Sequence, residues 1–323
     1  MSNQTRIGDS ILEASHLLKN GELVAIPTET VYGLAANGLN SEACTEIFKV
    51  KNRPFFDPLI LHIGNKDDLN ALVNEIPEHY IPLINKFWPG PLTLVFNKSE
   101  IVPDIVCSGG NTVAIRMPSH PLTLKLLKSI DFPLAAPSAN PFKYVSPTNP
   151  VHVKDQLNGK ISYILDGGDC EVGLESTIVK SDDGILTILR VGGISVESLM
   201  EFNPNIRLSI KPQDNPIAPG QLEHHYSPHC KLEIINNTAE LFDSYDAIIS
   251  VIPLKLPIDM NLRHKIILLS KSGDLSEAAQ NLFKELRNID IHGYSNVGIL
   301  LGPEEGLGRA INDRLTRAAS SKV

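Results

Sequence analysis

A chain of 323 residues exceeds the size at which a single hydrophobic core usually stops growing, so one large and one small domain are expected. With 42% hydrophobic and 20% charged residues the composition is that of a soluble globular protein, without an apolar run long enough to span a bilayer. The net charge of −8 excludes a broad basic nucleic-acid surface: Lys+Arg against Asp+Glu is 17 to 23 over residues 1–208 and 12 to 14 over the rest. Any anionic ligand must therefore be held by a local cluster.

The N-terminal stretch MSNQTRIGDSILEASHLL has no basic region followed by an apolar core and a small-residue cleavage site, so a cytoplasmic location is expected. Residues 10–20 read as an amphipathic helix carrying Ile11, Leu12, Leu17 and Leu18, and Leu23 to Ile26 as a buried strand that stops at Pro27. Two hydroxyls, a carboxylate and a phenol follow in PTETVYGL, an unusually polar end for a core element. A second helix spans NSEACTEIFKVKN and ends near Asn52, because the residue before Pro54 is pushed out of the helical region. The runs PLILHI, LTLVF, TVAIRM, PLAAPS, SYILDGG, STIVK and LTILRVGG read as strands, with a helix at 120–129 between two of them. Residues 1–208 thus form one mixed α/β domain.

Residues 209–230 contain four prolines and no sustained periodicity, and are expected to be a linker. Beyond it LEIIN, AIISVI, KIILLS and VGILLG read as strands, and DLSEAAQNLFKELRNI as a helix capped by Asp274. A small α/β domain with a largely parallel sheet is expected over 231–323. Cys44, Cys107, Cys170 and Cys230 lie far apart with no ligand spacing, so they are expected to be isolated core residues.

Standard nucleotide and hydrolase signatures are missing: there is no phosphate loop, GPEEGLGRAI lacks a third glycine, and APSAN is not a nucleophile elbow. What remains is a set of polar residues at strand tips beside Pro or Gly. Lys49, Lys51 and Arg53 close a helix, where cations complement the helix dipole or serve a rigid loop bracketed by two X-Pro bonds. Arg116 ends an apolar strand, either as an internal salt bridge or as a fork for a carboxylate or phosphate. His62 alternates with Leu61 and Ile63, as a satisfied half-buried residue or a ligand contact. Ser138 and Asn140 suit a turn or a site, Ser176 and Thr177 a strand or a site, and Arg190 precedes a Gly pair that makes a turn or admits close approach.

Taken in order, PTETVYGLAA, KNRPFFDPLILHI, FWPGPLTLVF, TVAIRMPSHP, APSAN and GLESTIV resemble the YrdC-like threonylcarbamoyl-adenylate synthases, and APGQLEHHYSP with GLGRAINDRLTRAA resembles their two-domain branch. The resemblance implies a twisted mixed α/β sheet with a central groove, a smaller Rossmann-like C-terminal domain, and a linker folded over the groove. It implies condensation of L-threonine, bicarbonate and ATP to threonylcarbamoyl-AMP and pyrophosphate. The product would pass to a tRNA threonylcarbamoyl-transfer complex. The threonine site would fall on Thr30, His62, Arg116, Ala136 and Ser176. The ATP site would fall on Lys51, Arg53, Asp57, Thr112, Ser138, Asn140, Ser146, Arg190 and Tyr226, with Mg²⁺ carried by the nucleotide and no organic cofactor. Asp57 stands where many relatives have Asn, and an anion there would repel phosphates unless Mg²⁺ or Arg53 intervenes. Glu29 and Tyr32 are assigned structural roles as loop hydrogen bonds. Two rivals remain open: an RNA-binding module on the same sheet, and a carbamoyl-transfer or hydrolytic enzyme with Ser138 as nucleophile.

Overall fold

The computed structural model describes residues 4–209, 217–220, 226–235, 245–254 and 266–320. The expected linker 209–230 is thus described only at 209, 217–220 and 226–230, and its other positions lie outside the described residues.

The large sheet is built from β1 (Arg6–Gly8), β2 (Val24–Ile26), β3 (Gly33–Asn37), β4 (Ile60–His62), β5 (Leu92–Asn97), β6 (Thr112–Arg116), β7 (Leu134–Ala135), β8 (Tyr163–Leu165), β9 (Thr177–Asp182), β10 (Ile185–Arg190) and β11 (Arg207–Leu208). Their order is β1-β8-β2-β3-β7-β4-β6-β5-β9-β10-β11, with parallel and antiparallel neighbours mixed. Helices α1 (Ile11–Lys19), α2 (Ser41–Lys51), α3 (Leu69–Leu72), α4 (Ile81–Phe87), α5 (Pro121–Lys128), α6 (Pro150–Leu157) and α7 (Val196–Met200) connect them. Asn40 caps α2 by accepting from the Glu42 and Ala43 amides, and Asn52 ends it in the left-handed region at φ 52°. That ending turns the chain sharply into the Arg53 loop.

The second sheet contains β12 (Lys231–Ile234), β13 (Ala247–Ser250), β14 (Ile266–Leu268) and β15 (Asn296–Leu300), all parallel in the order β12-β15-β13-β14. Helices α8 (Leu275–Ile291) and α9 (Gly308–Ala319) complete this unit, and Asp274 accepts from the Ser276 and Glu277 amides as the expected cap. Such strands are nearly continuous apolar runs because parallel sheets bury both faces. The strand β3 follows the polar tip directly and has no separate signature in the sequence, and β1, α6 and α9 were likewise not anticipated as elements. Strand β1 is only three residues long and mostly exposed, so it carries no apolar pattern to read.

The two units share one apolar cluster that runs from Leu34 and Val145 through Tyr226 to Phe283 and Leu286. Their backbones approach closely at Gly173, where an added Cβ would sit 2.6 Å from the Ala279 carbonyl oxygen. All four cysteines are unpaired and buried. No helix among the described residues is long and apolar enough to cross a membrane.

Candidate active site

The tip after β2 is organised by hydroxyl groups. Thr28 Oγ1 donates to the Val31 carbonyl (2.7 Å), so the Thr30 hydroxyl, 2.7 Å away, donates to Thr28 and keeps its lone pairs for Arg116. Arg116 Nη1 donates to Thr30 Oγ1 at 2.9 Å and Nε to the Gly90 carbonyl at 3.2 Å, while Nη2 lies 2.7 Å from Glu29 Oε1. The last contact is an ion pair off hydrogen-bond alignment, since neither carboxylate oxygen of Glu29 has a hydrogen-bond partner. Burial is the strongest single influence and opposes ionisation of Glu29, but the charge of Arg116 and the polar groups around the carboxylate together hold it below its usual range. Tyr32 accepts from the Gly167 amide (3.0 Å) and donates to the Gly168 carbonyl (2.8 Å). Gly33 forms an antiparallel bridge with Ser138, and a Cβ there would approach the Ala136 methyl to 3.2 Å. The polar tip is thereby joined to the APSAN turn.

Arg53 folds back on its own loop: Nε donates to the Asp57 carbonyl (3.0 Å), Nη2 to the Pro58 carbonyl (2.8 Å), and Nη2 pairs with Asp57 Oδ2 at 2.9 Å. Burial raises the pKa of Asp57 against the pull of Arg53, Lys51 and Arg190. Arg190 follows a bulge in β10 and spreads its fork over the chain: Nε donates to the Ser176 carbonyl (3.0 Å), Nη2 to Ser176 Oγ (3.0 Å) and Nη1 to the Pro219 carbonyl (3.1 Å). The glycine pair after it serves close approach, because a Cβ on Gly192 would lie 2.2 Å from the Glu175 carbonyl oxygen.

These parts converge on a cavity of about 50 Å³ lined by Thr30, Val31, Arg53, Ile60, Arg116, Pro137, Ser138, Glu175, Ser176, Arg190, Pro219, Gly220 and Tyr226. Thr30, Arg53, Arg116, Ser138, Ser176, Arg190 and Tyr226 are among the residues expected from the sequence, and the structure brings them together. The three arginines are only 6%, 4% and 6% exposed. Each has a carboxylate nearby, with Asp57 beside Arg53, Glu29 beside Arg116 and Glu175 acting on Arg190. The cavity is therefore charge-compensated and preorganised rather than simply positive.

Other expected residues stand behind this lining. Lys51 Nζ donates to the Ser138 and Asn140 carbonyls, and burial followed by the charge of Arg53 lowers its pKa well below the usual lysine value. It braces the serine turn instead of lining the cavity. Asn140 Nδ2 donates to the Pro141 and Tyr144 carbonyls at 2.9 and 2.8 Å, which closes the same turn. Ser146 donates to Glu175 Oε1 at 2.7 Å. His62 pairs in register with Arg116, and burial together with that arginine pushes its pKa down to about 3, so the ring is neutral. Ala136 lies in the apolar layer beneath Gly33. Thr112 is not at this cavity: it begins β6, four residues from Arg116, beside Asn97 of β5.

Glu175 and Glu29 were missed as lining or pairing groups, whereas Pro219 and Gly220 belong to the linker expected to fold over the groove. An arginine rarely stays buried unpaired, which signalled a partner for Arg116, but not which of 37 acids it would be. A cavity of about 800 Å³ lies elsewhere, with Tyr144, His229, Arg287 and Asp290 among its lining residues. The groups expected from the sequence do not meet there. Among the described residues Ser138 has no histidine as hydrogen-bond partner. Ala218 packs among Ile60, Val95, Ala114, Ile178 and Leu189, so segment 217–220 sits on this part of the sheet face.

Residues 16–192 match the Sua5/YciO/YrdC domain family, described as telomere recombination, and residues 194–320 match the threonylcarbamoyl-AMP synthase C-terminal domain family. The threonylcarbamoyl-AMP synthase of Pyrococcus abyssi is 38% identical over 96% of this chain and 94% of its own length, and that of Bacillus subtilis 36% identical over 97% and 94%. The crystal structure of P. abyssi Sua5 complexed with L-threonine superposes with a TM-score of 0.89 at 36% identity, covering 98% of both chains. The chain belongs to the two-domain threonylcarbamoyl-AMP synthase family.

Proposed function

We propose that the protein condenses L-threonine, bicarbonate or CO₂, and ATP to threonylcarbamoyl-AMP and pyrophosphate. The observation that carries this reading is the meeting of Arg53, Arg116 and Arg190, from three distant segments, with Thr30, Ser138 and Ser176 around one cavity. The threonine amine takes up CO₂ to give an N-carboxylate. One of its oxygens attacks the α-phosphorus of ATP, forming the new O–P bond as the bond to pyrophosphate breaks. Such a step needs alignment and charge compensation more than a strong side-chain base.

The residues take roles according to what they touch. Arg116, with Thr30 beside it, receives the threonine carboxylate; Ser176 closes that end. Arg53, Ser138, Arg190 and Tyr226 face the phosphates, while Lys51, Asn140 and Ser146 hold those groups in place from behind. Asp57, already paired with Arg53, meets phosphate through that arginine. Thr112 and Ala114 share one face of β6 with Arg116, and Thr112 lies roughly 13 Å along the strand, a nucleotide's length away. The apolar patch between them, Ile60, Val95, Ala114, Ile178 and Leu189, suits a base. Mg²⁺ travels with the triphosphate and offsets its charge. The carboxylates at hand, Asp57 and Glu175, are each engaged by an arginine, which fits an ion carried by the nucleotide.

A space of about 50 Å³ cannot hold a nucleotide, which needs several hundred. Segment 217–220, seated on Arg190 and the apolar patch, must move aside for ATP and can return over the labile adenylate. The product then passes to the machinery that transfers threonylcarbamoyl to tRNA, in the cytoplasm. The deciding experiment supplies ATP, bicarbonate and each of several amino acids to the purified protein and measures pyrophosphate. Release is expected only with threonine and bicarbonate together; release indifferent to either one overturns the assignment.

A further inference from the structure

We propose that Arg314, on α9 of the small domain, is a positioning residue for this site. It fixes Tyr226 and Glu175 together, so that the small domain sets a wall of a cavity it does not itself line. The proposal rests on the adenylation reading above.

Arg314 is fully buried at 0% exposure. Its Nε donates to Glu175 Oε2 at 3.0 Å, its Nη1 to Asp313 Oδ2 at 2.8 Å, and its guanidinium carbon lies 5.3 Å from the centre of the Tyr226 ring. Nη2 is buried without a hydrogen-bond partner. A dry guanidinium with a spare donor is a costly way to hold two domains together, and apolar contacts such as Phe283 do that work more cheaply. What the fork adds is orientation.

Two of its contacts, the guanidinium face on Tyr226 and Nε on Glu175, lead to the cavity. On one side Tyr226 sits in the left-handed region at φ 66°, a conformation a bulky residue keeps only when its surroundings enforce it. Its ring is held between Arg314 and Phe283, whose ring centre is 5.3 Å away in a stacked arrangement. Its hydroxyl and Arg190 flank the same point of the cavity wall: a Cβ on Gly220 would be 3.6 Å from that hydroxyl and 3.2 Å from Arg190 Nη1. On the other side Glu175 is fixed by Arg314 and Ser146, and the next residue, Ser176, receives Arg190 through both its carbonyl and its hydroxyl. Two routes from one buried guanidinium therefore end on the same arginine.

The test is a double-mutant cycle on threonine- and bicarbonate-dependent pyrophosphate release, read as kcat/KM for ATP. Arg314→Gln is expected to lower it about tenfold in the native background but only about threefold in a Tyr226→Ala background, because the ring route is then already gone and only the Glu175–Ser176 route remains. Arg309→Gln, which removes another cross-domain ion pair, to Glu197, is expected to leave turnover unchanged. Equal losses from Arg314→Gln in both backgrounds, or no loss in either, overturn the proposal. Where Arg314→Gln does not fold by thermal melting, Arg314→Lys is put through the same cycle; it keeps the charge and loses the fork, so the same outcomes decide. Failure of the native protein to show threonine- and bicarbonate-dependent release overturns the adenylation reading itself, whereas an active native protein with an additive cycle overturns only the role of Arg314.

Discussion

The Arg116 corner and the Arg190 corner of the cavity are built in different ways. Arg116 is held by Glu29, Thr30 and Gly90, all within the large domain, and by its register beside His62. Arg190 is held by Ser176, by the Pro219 carbonyl of the linker and, through Glu175, by the small domain. The first corner is a finished pocket in a rigid sheet. The second exists only when three parts of the chain are in place, so it is the one that opening and closing can change.

The largest effect expected is from Arg116→Ala, which breaks the self-sufficient corner. Threonine-dependent pyrophosphate release should fall by at least about a hundredfold, and burying Glu29 without a partner should cost about 3–5 kcal/mol in denaturant unfolding. The double variant Arg116→Met/Glu29→Gln sharpens the point: most of the stability should return, and the activity should not. Stability that stays low in the double variant would show that the pair is not the reason. Next comes Gly192→Ala at the composite corner. Its Cβ would meet backbone at 2.2 Å, so a loss of more than about 3 kcal/mol is expected, with Arg190 displaced. An alanine variant as stable as the native protein contradicts the close approach.

A smaller effect comes from His62. Its pKa is about 3 in the folded protein and 6.5 when unfolded, so between those values the unfolded chain binds the extra proton. Stability contributed by the neutral ring is complete above pH 6.5, falls as the pH drops through that value and levels off near pH 3. Between pH 7.5 and 5 this amounts to about 2 kcal/mol, and His62→Gln should remove that part of the acid sensitivity. An unchanged slope in the variant would mean that the ring titrates normally. Tyr226→Ala tests closure at the second corner: adenylate recovered per pyrophosphate released should fall a few-fold as the labile product meets water. Unchanged coupling and rate removes the closing role of that residue. Least of all is Arg309→Gln, whose partly exposed pair with Glu197 should contribute no more than about 1 kcal/mol to the melting curve.

Much of the fold was legible because strands β4 to β10 are short apolar runs with breakers at both ends, and because Asn52 and Asp274 carry the chemistry of helix ends. Strand β3 was not, since Gly33–Asn37 is small and nearly patternless and is a strand only because β2 and β7 flank it. In the site, Arg53 and Arg116 stood out as charged ends of apolar elements. The role of Lys51 did not, because a lysine that braces carbonyls and one that meets phosphate look alike in one dimension.

The sequence by itself determined strands β4 to β10 and the family that the chain resembles, since these depend on local periodicity, turn residues and contiguous patterns. Only the tertiary structure decided that Glu29 neutralises Arg116, that Lys51 stands behind the cavity, and that Arg314 reaches Glu175 across 139 positions of chain. The reason is physical: partner choice for a buried charge is settled by sheet register and domain docking, and neither leaves a mark in the order of neighbouring residues.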